Sequence, residues 1–379
     1  MKTKFSFLAT LVVALGLMSC SENNDLPVDT DNQSIYLKIG NIESAQTRSE
    51  GTAVTEAEAV TLTDGYIYFI TAQDGIKEWY KIASSGTSDV ANKVITTTDL
   101  KNGFKFSNVS GEVSKVYIVG NPNLGSGEAT TMEGFKTLSE LKAGVNVGIS
   151  SQNNVQDLTI VGEGGVTAVN TTQHPTAAAT DRQAVVSLTP LCARIEIGTV
   201  KVIGTITGYT LKGIYVNRFY ANKTLSNVFS NLQSEELTDN FSTAGTGIYS
   251  SYPTMCDQND AGLGSQTLLV TSPTTGNNVW AYQFFPGGTE NPRITFKLTG
   301  VTSSVGGESY PDPQFVNIRG FLNSTGTAIT TFAPGTIYHI NEVSIEKNNL
   351  TQLPDPEDIN LWVTVTINTW KVEVVTPVM

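Results

Sequence analysis

Two histidines and three cysteines are all the imidazole and thiol chemistry available to 379 residues. His174 precedes Pro175 in a polar stretch, and His339 lies between Tyr338 and Ile340 in an alternating run. A zinc site built on two or three histidines is therefore not expected, and the chain has no HExxH, paired CxxC, P-loop, GxSxG or dinucleotide-binding signature. The adjacent acids Glu235 and Glu236 sit in a polar loop and read as solvated charge. The cluster Asp257, Gln258, Asn259, Asp260 offers oxygen ligands without the regular spacing of a calcium loop. No enzymatic activity, cofactor or metal is expected. Cys192 and Cys256 either pair in an oxidising compartment or leave Cys192 as a buried thiol in its apolar run, and the residues do not choose between the two.

The third cysteine has a clearer context. Lys2 and Lys4 precede an apolar run over residues 5–17, the length of a secretory h-region and short of the roughly 20 residues that span a bilayer. The run ends in Leu17-Met18-Ser19-Cys20 and a polar tether begins at Ser21. This resembles a lipobox, in which the cysteine is acylated and becomes the new N-terminus, so an exported, lipid-anchored precursor is expected with Cys20 as the lipidation site. The formal charge of -12, with 35 acids and 23 scattered bases, makes a poor polyanion binder and argues against nucleic acid as a partner.

These residues must be carried by strands. Short apolar runs alternate with period two between Gly, Asn, Asp and Ser clusters, as in GYIYFI (65–70), KVYIV (115–119), ARIEI (193–197) and RITFKL (293–298). One helix is expected over residues 134–143, where Phe135, Leu138 and Leu141 share a face. The pattern predicts antiparallel β-sandwiches, with a domain linker in the aperiodic stretch 170–183 and a second linker, containing Pro354 and Pro356, over 348–360. At the N-terminal side, residues 34–42 form a strand with Ile35, Leu37 and Ile39 on one face. The polar stretch 43–58 that follows holds Arg48, a good site for an Arg-specific protease, although an exposed arginine is commonplace. At the other end Leu361, Val363, Val365 and Ile367 alternate with Trp362, Thr364 and Thr366, and the pattern resumes at Trp370. Periodicity alone reads these as the last strands of the second domain.

The segments DGYIYFITAQDGIKEW (64–79), VYIVGNP (116–122) with TLSEL (137–141), LTPLCARIEI (188–197) and FAPGTIYHI (332–340) resemble those of the fimbrillins of type V pili, the lipoprotein-derived shaft subunits of Gram-negative anaerobes. Cys192 and Gly120 depart from that family's habit. The resemblance implies an all-β fold of two tandem antiparallel, transthyretin-like β-sandwiches with one short helix. It places the leader at 1–20, a tether and removable strand at 21–48, sandwiches at 49–182 and 183–349, and a linker with a donor arm at 350–379. It implies cleavage between Arg48 and Ser49, releasing the strand that carries Ile35, Leu37 and Ile39. The vacated groove would then take the C-terminal arm of another copy, with Leu361, Val363, Val365, Ile367 and Trp370 as donor residues. The implied product is an adhesive fimbria on the outer membrane, its partners copies of the chain or other fimbrial subunits. The alternative is a non-polymerising accessory, anchor or tip subunit, or a surface adhesin that binds a host protein or glycan.

Overall fold

The structure is a computed structural model that describes residues 32–40, 59–172, 174–178, 180–234, 247–258, 280–354, 361–369 and 371–374. Cys20, Arg48, Ser49 and Trp370 lie outside the described residues.

Strands dominate, as the alternation predicts. In the first half, a six-stranded sheet runs Thr189–Pro190, Ile160–Gly165, Val113–Gly120, Asp64–Thr71, Ile76–Ala83, Val94–Thr96. A four-stranded sheet runs Thr167–Ala168, Arg182–Val186, Asn32–Ile39, Phe104–Ser110 and faces it. The strand Asp64–Thr71 explains how the layers stack. Its odd-numbered Ile67 and Phe69 enter the core shared with Ile35, Leu37 and Ile39, while Tyr66, Tyr68 and Ile70 enter a second core on the opposite face. A strand buried on both faces carries a continuous apolar run rather than strict alternation, and Tyr66-Ile67-Tyr68-Phe69-Ile70 is one.

Helices cover that opposite face. Leu138–Gly144 begins one turn later than the apolar spacing suggests, because Thr137 and Glu140 form a capping box that sets its start. It buries Leu138 and Leu141, and a neighbouring helix, Glu128–Gly134, buries Met132. The short helices Thr97–Asn102 and Ile248–Ser251 were not legible; segments this short carry too few residues for a helical period.

The second half also has two sheets. One runs Trp280–Phe284, Ala193–Val202, Thr336–Ile345, Thr366–Thr369, and the other Cys256–Gln258, Ile206–Asn217, Arg293–Ser303, Gln314–Leu322, Leu361–Thr364. Phe332 sits at the centre of an aromatic cluster, edge-on to Phe284, Phe321 and Tyr338 with centroids 5.1, 5.1 and 4.6 Å apart. The halves share a core and a small sheet, in which Asn146–Gly148 pairs with Phe219–Thr224.

Two expectations need correction. The sheets are mixed rather than purely antiparallel: Asn32–Ile39 runs parallel to Arg182–Val186, and Ala193–Val202 runs parallel to Thr336–Ile345. Such pairings join residues far apart in sequence, so no local turn signal announces them. The stretch 170–183 is not a linker. It leads into Arg182–Val186, and the first half's sheets continue through Pro190. Gly120 is also explained, since a Cβ there would lie 2.5 Å from Leu62 and 2.7 Å from Ile160.

Candidate functional site: an inserted N-terminal strand and a docked C-terminal arm

The N-terminal strand Asn32–Ile39 lies inside its sheet, hydrogen-bonded on both edges. Ile35, Tyr36 and Leu37 oppose Phe106, Lys105 and Phe104 on one side and Arg182, Gln183 and Ala184 on the other. Its period of two sends Ile35, Leu37 and Ile39 into the core, at 0, 0 and 1% exposure, beside Phe69, Phe106, Ile118 and Val186. The ends are pinned by Gln33, whose Nε2 donates to the carbonyls of Ser110 (3.0 Å) and Val113 (3.1 Å), and by Gly40, whose N–H donates to Val186 O (2.9 Å). Without this strand two neighbouring strands would each present an unpaired edge over an apolar floor.

The outer face of the strand is strapped down. The described residues of the 170–181 stretch lie against it, and the His174 ring stacks on Tyr36 with centroids 4.4 Å apart and planes 27° from parallel. The Lys105 ammonium lies 5.0 Å from the Tyr36 ring centroid and 2.8 Å from Asp181 Oδ2. Asp181 also accepts from the Ala178 N–H at 3.0 Å. The Lys105 hydrogen bond is the main reason the Asp181 carboxyl is held below the usual carboxylate range, and the same bond raises Lys105. Sequence reasoning missed the strap because 170–183 has no period and its binding partner lies more than 130 residues upstream.

The C-terminal arm is docked on its own subunit. Leu361–Thr364 adds to the edge of Gln314–Leu322 in parallel, and Thr366–Thr369 adds antiparallel to Thr336–Ile345. Lys371–Val374 then crosses to the first half and pairs in parallel with Ala59–Leu62. That acceptor strand is held by Asn121, whose Nδ2 donates to Thr61 O (2.6 Å) and Leu158 O (3.1 Å) while its Oδ1 accepts from the Thr63 N–H (3.0 Å). Val363 and Val365 are buried at 4 and 1%, and Leu361 is half-buried. Ile367 does not join them. At Val365, whose N–H donates to Leu322 O, the arm leaves one sheet for the other, which breaks the alternation and leaves Ile367 half exposed. Trp362 is 55% exposed, its ring lying over Gly320, where a Cβ would come within 2.3 Å of it.

Other buried charged groups of the second half are paired. Arg194 Nε lies 2.8 Å from Glu196 Oε1, and Glu196 Oε2 lies 3.1 Å from His339 Nδ1. With Arg194 and Glu196 buried inside a sheet, this network is costly to break and offers no exposed nucleophile. Asp257 accepts from Tyr282 Oη at 2.7 Å, and burial raises its carboxyl. Among the described residues no group of three or more potential ligands could hold a metal, and both described cysteines are free thiols. Burial pushes the Cys192 thiol up to about 12 and Cys256 up to about 11.

Six β-sheets among the described residues, with an N-terminal strand inserted into one and three C-terminal strands added to three others, define a fimbrilin-like all-β fold. No protein-family profile matches the chain, and no curated protein matches it by sequence. Solved structures do. A fimbrilin from Porphyromonas gingivalis W83 superposes with a TM-score of 0.52 at 12% identity, covering 91% of this chain and 99% of its own. A protein from Bacteroides eggerthii with a provisional cell-adhesion assignment gives 0.52 at 19% identity, over 91 and 98% of the two chains. One from Parabacteroides distasonis, with the same provisional assignment, gives 0.55 at 10%, over 90 and 100%. At these identities the likeness establishes the fold.

Proposed function

We propose that this chain is a subunit of a cell-surface fimbria that polymerises by strand exchange. The observation that carries the reading is the position of the N-terminal strand. It is an interior strand whose covalent connection to the rest of the first half runs through residues 41–58, a segment whose sequence contains Arg48. Cleavage after Arg48 would free it, together with a lipid on Cys20. Loss of Ile35, Leu37 and Ile39 would uncover apolar surface worth roughly 5–9 kcal/mol gross, at about 1.5–3 kcal/mol per side chain. A groove with two unpaired edges accepts another strand. The C-terminal arm is the strand on offer, since it lies at sheet edges and follows the proline-containing linker. Donation to a neighbour is a head-to-tail contact that does not close, so it grows a fibre at the cell surface.

Val363 and Val365 are buried in their own subunit, so donation requires the arm to leave home first. That same observation supports the second reading, an accessory subunit whose arm stays docked. The test is Arg48→Ala together with N-terminal sequencing of surface-sheared protein. The expected outcome is a mature chain beginning at Ser49 in fibres, and a monomeric Arg48→Ala variant that retains residues 32–39. Fibres of normal length from Arg48→Ala would reject strand removal. Wild-type protein that is cleaved yet stays monomeric would favour the accessory subunit.

A further inference from the structure

The removable strand and the arm carry the same short pattern. Ile35-Tyr36-Leu37-Lys38-Ile39 and Leu361-Trp362-Val363-Thr364-Val365 each place an aliphatic residue at the first, third and fifth positions, an aromatic at the second and a polar residue at the fourth. In the removable strand all three aliphatic side chains are buried, Tyr36 is partly covered by the strap, and Lys38 is exposed. The aromatic position is a built site. His174 covers the Tyr36 ring, Lys105 stands 5.0 Å from its centroid, and Asp181 holds Lys105 at 2.8 Å. Trp362 meets nothing comparable in its docked position, where it is 55% exposed over Gly320.

Resting on the strand-exchange reading, we propose that the arm of a second copy enters the groove in one register, with Leu361, Val363 and Val365 replacing Ile35, Leu37 and Ile39 and Trp362 taking the place of Tyr36 beneath His174. The strap is thus the element that reads the incoming strand. A slip of two residues toward the C-terminus offers Val363, Val365 and Ile367 to the core but puts Thr364 under His174, leaving the ring and the Lys105 cation without an aromatic partner. Running the arm in the opposite direction moves Trp362 to the exposed place of Lys38. Farther along the sequence, Trp370, Val372 and Val374 alternate with Lys371 and Glu373, neither of them aromatic. One register and one direction satisfy both faces of the groove.

The register fixes a neighbour that disulfide mapping can read. Lys38 is paired with Val185, which is 51% exposed, so Thr364 of an incoming arm should lie beside Val185 of the acceptor. Fibres of mature protein carrying Cys256→Ser, Val185→Cys and Thr364→Cys, treated with a mild oxidant, should give a covalent ladder on a non-reducing gel. The same background with Trp362→Cys in place of Thr364→Cys should not. In parallel, Trp362→Ala should slow fibre growth by about tenfold, the scale of a lost aromatic stack, with Trp362→Tyr restoring it and monomer Tm unchanged. In the mature protein His174→Ala should match Trp362→Ala, and the double variant should be no slower than either. A ladder from Trp362→Cys, or fibres in which Thr364→Cys does not cross-link, would overturn the register while leaving strand exchange in place. Unsubstituted mature protein that never forms fibres would instead overturn the reading beneath it.

Discussion

Asp181 shows how one side chain couples the strap to the strand. It joins the strap, through the Ala178 N–H, to Lys105 on the strand Phe104–Ser110, and Lys105 faces the Tyr36 ring. Its carboxyl is held below the ordinary value near 3.8, chiefly by Lys105. A group whose folded pKa is depressed contributes its stability above the unfolded value and loses it as pH falls through the folded one. The strap should therefore be intact at neutral pH and loosen only below about pH 4, which is far from physiological variation. Asp181→Asn should reproduce the loosened state at neutral pH. Limited proteolysis across residues 170–181 checks this: cleavage should be faster in Asp181→Asn at neutral pH, and the difference from wild type should shrink in acid. Equal rates at neutral pH would mean that the His174 stack holds the strap without the ion pair.

At the scale of elements, the arm contributes edge strands and the N-terminal strand an interior one, and the two should respond differently to loss. Truncation after Asn360 removes Val363 and Val365 from the second-half core and the partner of Ala59–Leu62. The inner strands that remain keep their ladders, among them Ala193–Val202 with Thr336–Ile345 and Ile206–Asn217 with Arg293–Ser303. The truncated subunit is therefore expected to fold, with Tm lowered by no more than the loss of about two buried valines implies, at ~1.5–3 kcal/mol each. Circular dichroism melting of the truncated and full-length subunits checks it. Collapse of the second half on truncation would make the arm an obligatory part of the core and rule out its donation. Removing residues 32–39 takes out a strand bonded on both edges. That loss opens a groove rather than trimming an edge, which is why cleavage on that side is the event that would drive assembly.

At the scale of the whole molecule, a subunit with one groove and one arm makes a contact between two unlike surfaces, and such a contact propagates without closing. A subunit lacking its arm can accept but not donate. Adding mature subunits truncated after Asn360 to wild-type mature subunits should therefore cap one end of every growing fibre. Mean length measured by electron microscopy should fall as the truncated fraction rises, roughly as the inverse of that fraction when capped and uncapped ends compete equally. Fibre length indifferent to the truncated subunit would mean that contacts other than the arm hold the shaft.

Much of this was determined by sequence alone, because it depends on local pattern. Period-two alternation identified the β class, the face of Ile35, Leu37 and Ile39, and the apolar alternation of the arm. The scarcity of histidine and of metal-ligand spacing led to the expectation of no catalytic or metal site. Tertiary structure decided whatever depends on which strands meet. It put the N-terminal strand between Phe104–Ser110 and Arg182–Val186, turned the stretch 170–183 from a linker into a strap, and paired Lys371–Val374 with Ala59–Leu62. It also turned Ile367 away from Val363 and Val365, because the arm changes sheets at Val365. Alternation specifies which face of a strand seeks a core. The choice of partner is a long-range packing decision, made by shape and by the pairing of backbone groups, and neither leaves a period in the sequence.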